Sequence, residues 1–164
     1  MNRRELFGSL TSGLKNDKPH KSAEVLRPPY NKDDSLFLQE CHKCEAKCAD
    51  ICEENIIKIA EDATPYLSFD MSGCTFCDEC ASVCEFGVLE LENRDNINAN
   101  IDISVSACIS WHDVMCFSCK DPCLENAIVF QGLFKPVIDM SKCTACGFCI
   151  SRCPVSAIEV EFKQ

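Results

Sequence analysis

Sixteen cysteines fall into four groups of four, and no cysteine lies outside these groups. The groups are Cys41, Cys44, Cys48 and Cys52; Cys74, Cys77, Cys80 and Cys84; Cys108, Cys116, Cys119 and Cys123; and Cys143, Cys146, Cys149 and Cys153. Three cysteines in a short loop, followed after three residues by a fourth, are typical of ligands to 4Fe-4S clusters. The last group, with Pro154 after its fourth cysteine, fits that run residue for residue. We therefore expect four 4Fe-4S clusters with all sixteen cysteines as iron ligands.

Disulfide bonds and zinc sites also use many cysteines. A disulfide framework requires an oxidising compartment, and the start of the chain lacks the apolar segment of a signal peptide. Zinc sites usually join two short knuckles of cysteine or histidine across a longer gap. His42 and His112 lie within cysteine groups and could act as ligands, as histidines do in Rieske centres. Because each group already holds four cysteines, the spacing favours clusters with cysteine ligands alone.

Charge is unevenly distributed along the 164 residues. Six basic and three acidic residues precede residue 31, whereas ten basic and twenty-three acidic residues follow, so charges of +3 and −13 make the total of −10. An acidic body lacks the basic surface that binds nucleic acid, which argues against a nucleic-acid partner. Such a surface suits redox partners with basic patches, although it also serves solubility alone. No apolar run approaches the roughly 20 residues of a membrane span, so we expect a soluble protein.

The cysteine groups belong to an internal repeat. Apolar residues recur four, five and seven positions after the last cysteine of each group, and a short strand-like run precedes each group. The residues after the cysteines are Ile56, Ile57 and Ile59; Val88, Leu89 and Leu91; Ala127, Ile128 and Phe130; and Ala157, Ile158 and Val160. The runs before them are Leu36–Leu38, Leu67–Phe69, Ile101–Ile103 and Val137–Asp139. Each unit is therefore predicted to be a strand, a cysteine loop, a short helical turn and a second strand.

A longer repeat predicts the domain organisation. The first and third groups are irregularly spaced and the second and fourth are regular, so that an irregular group precedes a regular one twice. Phe69-Asp-Met-Ser-Gly73 before the second group matches Ile138-Asp-Met-Ser-Lys142 before the fourth. We predict an α+β fold of two tandem domains like bacterial two-cluster ferredoxins, at residues 36–95 and 96–162. Residues 1–35 are predicted to form a basic, flexible arm.

Two-cluster ferredoxins exchange ligands, because the fourth cysteine of each run ligates the other cluster. If that exchange applies here, one ligand set is Cys41, Cys44, Cys48 and Cys84, and a second is Cys74, Cys77, Cys80 and Cys52. The second domain would then combine Cys108, Cys116 and Cys119 with Cys153, and Cys143, Cys146 and Cys149 with Cys123.

The whole chain resembles the NapF family, the ferredoxin-type accessory proteins of periplasmic nitrate reductase systems. The resemblance rests on Asn2-Arg-Arg-Glu-Leu-Phe-Gly8, on Leu26-Arg-Pro-Pro-Tyr30, on the wide spacing of the third cysteine group and on Cys153-Pro-Val-Ser-Ala-Ile158. It implies a cytoplasmic protein that binds the precursor of the catalytic molybdenum subunit before export and supplies electrons or iron-sulfur to it. Arg3-Arg4 is similar to an export signal, but the polar residues that follow lead us to expect retention in the cytoplasm.

The sequence contains no nucleotide-binding glycine motif and no catalytic arrangement that can be argued from spacing. We therefore expect no enzyme activity from this chain alone. An assembly factor for a redox enzyme and a general polyferredoxin electron carrier are both compatible with the residues, because sequence does not determine cluster potentials or lability.

Overall fold

The computed structural model describes residues 25–163, and most of the predicted basic arm, with Arg3 and Arg4, lies outside them. The elements are short and mixed, as the spacing of the cysteine loops predicts. The four α-helices are α1 Ser35–Glu40, α2 Lys47–Asp50, α3 Glu79–Ser82 and α4 Phe148–Ser151. Three 3-10 turns span Cys41–Lys43, Leu91–Asn93 and Ile109–His112. The strands are β1 Ile57–Ile59, β2 Pro65–Leu67, β3 Ala99–Ile103, β4 Ile128–Gln131, β5 Phe134–Ile138 and β6 Ile158–Phe162.

The strands form three two-stranded antiparallel sheets within residues 25–163: β1 with β2, β3 with β6, and β4 with β5. The second half is the more regular, since its first strand β3 pairs with its last strand β6 and Ile101 lies opposite Val160. Along β3 the side chains of Ala99, Ile101 and Ile103 are buried and those between them are exposed. This alternation confirms the prediction of a strand at residues 101–103, because a period of two places one face of a strand on the core.

Three of the four strands predicted after cysteine groups are present, and they are β1, β4 and β6. The prediction for Val88, Leu89 and Leu91 was wrong, because Leu91 begins a 3-10 turn and the chain before it forms no strand. The segment opposite contains Pro28 and Pro29, which have no N–H to donate to a ladder. Only isolated bonds form there, from the Glu90 N–H to the Tyr30 carbonyl and from the Asp95 N–H to the Pro29 carbonyl.

The predicted strand at Leu36–Leu38 was also wrong, since these residues lie in helix α1. Polar residues before it form two turns that direct the chain into a helix, with the Asp33 N–H bonded to the Asn31 side chain and the Ser35 N–H to the Asp33 side chain. The side chain of Phe37 is fully buried while Leu38 is about half exposed. A single buried face of this kind is typical of an amphipathic helix.

Residues 26–30, which the sequence assigns to the arm, are packed against the body. The Leu67 N–H donates to the Leu26 carbonyl, and the side chain of Tyr30 is buried. The guanidinium of Arg27 donates to the Thr64 hydroxyl at 2.9 Å and lies over the ring of Phe37, 4.6 Å from its centre. This segment therefore joins β2 to α1 and takes a place that a first strand would otherwise occupy.

The buried side chains form one continuous cluster that includes Phe37 and Ile57 from the first half and Ile101 and Ile158 from the second. No helix in residues 25–163 is long and apolar enough to cross a membrane.

Candidate cluster-binding sites

Four cavities are each lined by four cysteines, and together they account for all sixteen. We name each cavity after its lone cysteine from a second loop. The Cys84 site holds Cys41, Cys44, Cys48 and Cys84, and the Cys52 site holds Cys74, Cys77, Cys80 and Cys52. The Cys153 site holds Cys108, Cys116, Cys119 and Cys153, and the Cys123 site holds Cys143, Cys146, Cys149 and Cys123.

These sets have the composition that ligand exchange predicts. In every cavity, three cysteines come from one group and the fourth comes from the other group of the same half. Strand β1 follows Cys52 and strand β4 follows Cys123. Each strand forms an antiparallel hairpin with the next strand, β2 or β5, and this hairpin returns the chain to the next cysteine loop. The hairpin therefore places the end of one group beside the start of the next.

The rest of each lining is mostly apolar. Phe37, Val88 and Leu89 surround the Cys84 site, and Ile101, Ile128 and Ile138 surround the Cys123 site. The Cys52 site is the largest of the four, and its Cys77 is the only exposed cysteine of the sixteen.

Burial raises the pKa of several cysteine thiols, and neighbouring cysteines add to the effect. The pKa is raised to about 12 for Cys80 and Cys149, and to about 11 for Cys41, Cys48, Cys74 and Cys119. In each case desolvation by burial is the largest cause. Without a cofactor, these thiols are therefore neutral at physiological pH. A bound metal must displace their protons, because iron binds the thiolate.

Each fourth cysteine is followed, three positions later, by a residue with positive φ. These residues are Asn55, Gly87, Asn126 and Ser156, with φ between 50° and 65°. In three of the four loops, a backbone N–H after this turn donates to the cysteine sulfur: Leu89 donates to Cys84 Sγ at 3.3 Å, Ala127 to Cys123 Sγ at 3.3 Å and Ala157 to Cys153 Sγ at 3.1 Å. Hydrogen bonds to ligand sulfur favour the thiolate and tune the potential of a bound cluster.

The seven-residue insertion before Cys116 is ordered and keeps Cys108 at its cavity. Residues Ile109–His112 form a 3-10 turn, and the indole N–H of Trp111 donates to the Pro136 carbonyl of β5 at 3.1 Å. Cys108 itself is buried. The ring of His112 is bonded instead to the Ser106 carbonyl at 3.1 Å. Neither His112 nor His42 is among the residues that line the Cys153 and Cys84 sites.

The donor set of each cavity consists of cysteine side chains, as in a 4Fe-4S cluster ligated by cysteine alone. All sixteen cysteines lie in the described part of the chain as free thiols. Among residues 25–163, no three cysteine, histidine, aspartate or glutamate side chains approach closely enough to hold one metal ion. Each cavity presents four cysteine sulfurs, which is the donor set of a 4Fe-4S cluster.

Tyr30 supports the Cys52 site, and the sequence did not predict this role. Its hydroxyl donates to the Asp78 carboxylate at 2.7 Å and accepts from the Asp78 N–H at 3.2 Å. Asp78 has φ +68° and separates Cys77 from the helix that carries Cys80. Burial and the bond to Asp78 raise the pKa of the Tyr30 hydroxyl. The tyrosine in Arg27-Pro-Pro-Tyr30 was the available signal, but nothing in the spacing shows that it faces a cysteine loop.

Comparison with known proteins agrees with this geometry. Residues 40–88 match the model of a 4Fe-4S dicluster domain and residues 136–159 match a 4Fe-4S binding domain. The chain is 32% identical to the ferredoxin-type protein NapF of Escherichia coli (strain K12), over 92% of this chain and 93% of that protein. It is 34% identical to NapF of Haemophilus influenzae, over 95% and 90%. It is also 28% identical to the methylamine utilization ferredoxin-type protein MauM of Methylophilus methylotrophus, over 85% and 70%.

The cysteine loops, the two iron-sulfur domain matches and this identity along nearly the full length lead to one conclusion. The chain is a 4Fe-4S protein that belongs to the NapF family of ferredoxin-type proteins.

Proposed function

We propose that this protein is a cytoplasmic accessory protein for periplasmic nitrate reductase. It binds the precursor of the catalytic subunit before export and supplies electrons or iron-sulfur to it. One observation carries this proposal: four cavities that are lined by cysteine and apolar side chains, in a chain of the NapF family. Such sites suit the holding of redox cofactors rather than the binding of an organic substrate.

Four 4Fe-4S clusters are the proposed content of the four sites, with the sixteen cysteines as ligands in the sets given above. Tandem domains at 36–95 and 96–162 are part of the proposal, and the cavity linings support them, because each half supplies all four cysteines of each of its own two sites. A bound 4Fe-4S cluster supplies one-electron chemistry. The polypeptide positions the thiolates, surrounds the Cys84, Cys123 and Cys153 sites with mostly apolar side chains and donates N–H groups to ligand sulfurs.

The acidic surface supports a protein partner. Exposed carboxylates of Glu53 and Glu79 lie at the rim of the Cys52 site, which is the largest of the four and contains the exposed Cys77. Complementary charge accelerates and orients the association of redox proteins. An immature redox enzyme with a basic patch would therefore bind on this side of the molecule.

A general electron carrier is the second candidate, and one observation favours it. Neighbouring sites lie close enough that a cysteine of one site helps to raise the thiol pKa of a cysteine in the next. Cys48 has this effect on Cys80, Cys146 on Cys74, and Cys119 on Cys149. The sites are thus connected in the order Cys84, Cys52, Cys123 and Cys153. This continuity is what a carrier between a donor and an acceptor requires.

An anaerobic pull-down separates the two candidates. The iron-loaded protein serves as bait for the export precursor and, in parallel, for the mature catalytic subunit of periplasmic nitrate reductase. We expect the precursor to be captured preferentially, because an accessory protein of maturation must distinguish the two forms. Capture of neither form by bait that still holds its iron would contradict the maturation role and leave the electron carrier.

A further inference from the structure

The two halves of the molecule meet where one cysteine loop touches another. The Cys74 N–H of the Cys52 site donates to the Cys146 carbonyl of the Cys123 site at 2.7 Å. Next to this bond, the Ile97 N–H donates to the Thr144 carbonyl at 3.2 Å. We call this contact the junction and define it by Phe69, Gly73, Cys74, Cys146, Gly147 and Phe148. It joins the two sites that are central in the order of four.

Gly73 allows the backbones to approach each other. A Cβ at this position would lie 2.4 Å from the Phe148 nitrogen and 2.6 Å from the Cys146 carbonyl oxygen. Both atoms belong to the backbone of the other half, so they cannot move away as the end of a flexible side chain could. In the internal repeat, Lys142 occupies the position of Gly73, and its side chain is exposed. Of these two equivalent positions, the one without a side chain is therefore Gly73, which faces the backbone of the other half.

Gly147, in the cysteine loop of the second half, also lies where a side chain would collide with the other half. Its φ is +86°, but φ alone does not require glycine, since Asp78 holds the equivalent position of the repeat at φ +68°. A Cβ on Gly147 would instead lie 2.3 Å from the ring of Phe69, a buried residue of the first half. The equivalent of Phe69 in the repeat is Ile138. Both glycines thus sit where the other half leaves no room, while their repeat counterparts carry side chains.

We propose that the junction couples cofactor loading of the two central sites, so that the Cys52 and Cys123 sites fill together. Metal binding contributes to the free energy of folding in small metalloproteins, because the ligand loops become ordered on loading. A loop that is already ordered by its own cofactor presents a fixed surface to its neighbour, which lowers the entropy that the second loop must lose. The inference rests on the proposed function, since it takes the four cysteine sets as cluster sites.

The test follows loading of the full chain during anaerobic reconstitution with increasing ferrous iron and sulfide. Alkylation and mass spectrometry then report which cysteines are protected at each dose. In the natural sequence, we expect the protection curves of Cys74 and Cys146 to coincide. In Gly73→Ala and Gly147→Ala, the two curves should separate by at least about twofold in iron dose. Gly132→Ala is the matched control, because Gly132 also has positive φ, at +77°, but a Cβ there meets nothing within 4 Å.

Three results would decide the matter. Separate curves for Cys74 and Cys146 in the natural protein, or coincident curves in both junction variants, would overturn the coupling while leaving the site assignment intact. A natural protein that protects none of its sixteen cysteines would overturn the site assignment and the coupling with it.

If Gly147→Ala fails to fold, Phe69→Ala combined with Gly147→Ala is the deciding variant. Removal of the ring should restore protection of Cys74 and Cys146 relative to Gly147→Ala, and its failure to do so, when Phe69→Ala alone loads normally, would contradict the proposal.

Discussion

At the scale of single residues, the fourth cysteine of each group belongs with another loop rather than its own. Cys84 follows Cys80 by four positions, yet it lines the cavity of Cys41, Cys44 and Cys48. Its proximity also contributes to the raised pKa of the Cys41 and Cys48 thiols, for which burial is the largest cause. Replacement of Cys84 should therefore weaken cofactor binding at the loop of Cys41, Cys44 and Cys48, which is more than thirty residues away in the sequence.

Cys84→Ser tests this exchange. We expect the loaded variant to lose about four iron atoms, the content of one cluster, and to expose Cys41, Cys44 and Cys48 to alkylation while Cys74 and Cys77 stay protected. Iron analysis and mass spectrometry of the alkylated peptides provide the measurement. Cys80→Ser is the matched control, because it should expose Cys74, Cys77 and Cys52 instead. Labelling of Cys74 and Cys77 first in Cys84→Ser would show that each run binds its cofactor without exchange.

At the scale of elements, the segment at residues 26–30 stabilises the first half in place of a strand. Arg27 connects three parts of this half, because its guanidinium donates to Thr64 at 2.9 Å and to the Pro65 carbonyl at 2.5 Å while lying over the ring of Phe37. Burial lowers the pKa of the guanidinium, and Asp34 and Asp62 counteract this shift. A planar group with several donors is required to make all these contacts at once.

Arg27→Lys should therefore lower the free energy of unfolding of the loaded protein by about 1 to 2 kcal/mol, since a bond from a charged donor and the stacking are lost. Denaturant unfolding under anaerobic conditions, followed by the cluster absorbance, measures the change. The control is Arg94→Lys, because Arg94 reaches Asp78 at 3.3 Å with both side chains about half exposed. That change should cost less than about 1 kcal/mol. Equal losses in the two variants would mean that Arg27 is an ordinary surface residue.

At the scale of the whole molecule, charge sets the conditions for association. The formal charge of −10 is the sum of +3 on residues 1–30 and −13 on residues 31–164. Exposed charges act over a Debye length of about 10 Å at 0.1 M salt. Binding to a partner should therefore depend on ionic strength, and more in the rate of association than in the rate of dissociation.

We expect the association rate of the loaded protein with the nitrate reductase precursor to fall at least about tenfold between 0.05 and 0.5 M NaCl. Surface plasmon resonance under anaerobic conditions gives the rates. The double variant Glu53→Gln and Glu79→Gln removes two charges at the rim of the Cys52 site and should show a smaller salt dependence than the natural protein. An association rate that does not change with salt would show that apolar contacts, rather than the acidic surface, bring the two proteins together.

Much of the cofactor chemistry could be predicted before the fold was known. The spacing, together with the ligand exchange of two-cluster ferredoxins, predicted four cysteine sets, and the cysteines of each set line one cavity. Apolar residues at fixed offsets predicted β1, β4 and β6. The cavity linings agree with the predicted sets because a short cysteine loop and the following hairpin leave the chain few ways to bring four sulfurs together. The wrong strands at Leu36–Leu38 and at Val88–Leu91 lie where a partner strand is missing.

The sequence by itself therefore determined the four cysteine groups and the acidic charge of the body, and it predicted how the groups combine within each half, because these depend on residue type and on local spacing. Only the tertiary structure decided how the halves meet. When the two copies of the repeat are aligned, Gly73 corresponds to Lys142 and Asp78 corresponds to Gly147, and the sequence shows these only as differences between the copies. That Gly73 and Gly147 are the places where a Cβ would collide with the other half depends on packing between residues about seventy positions apart. Contacts at such separations follow from three-dimensional shape, which no pattern along the chain records.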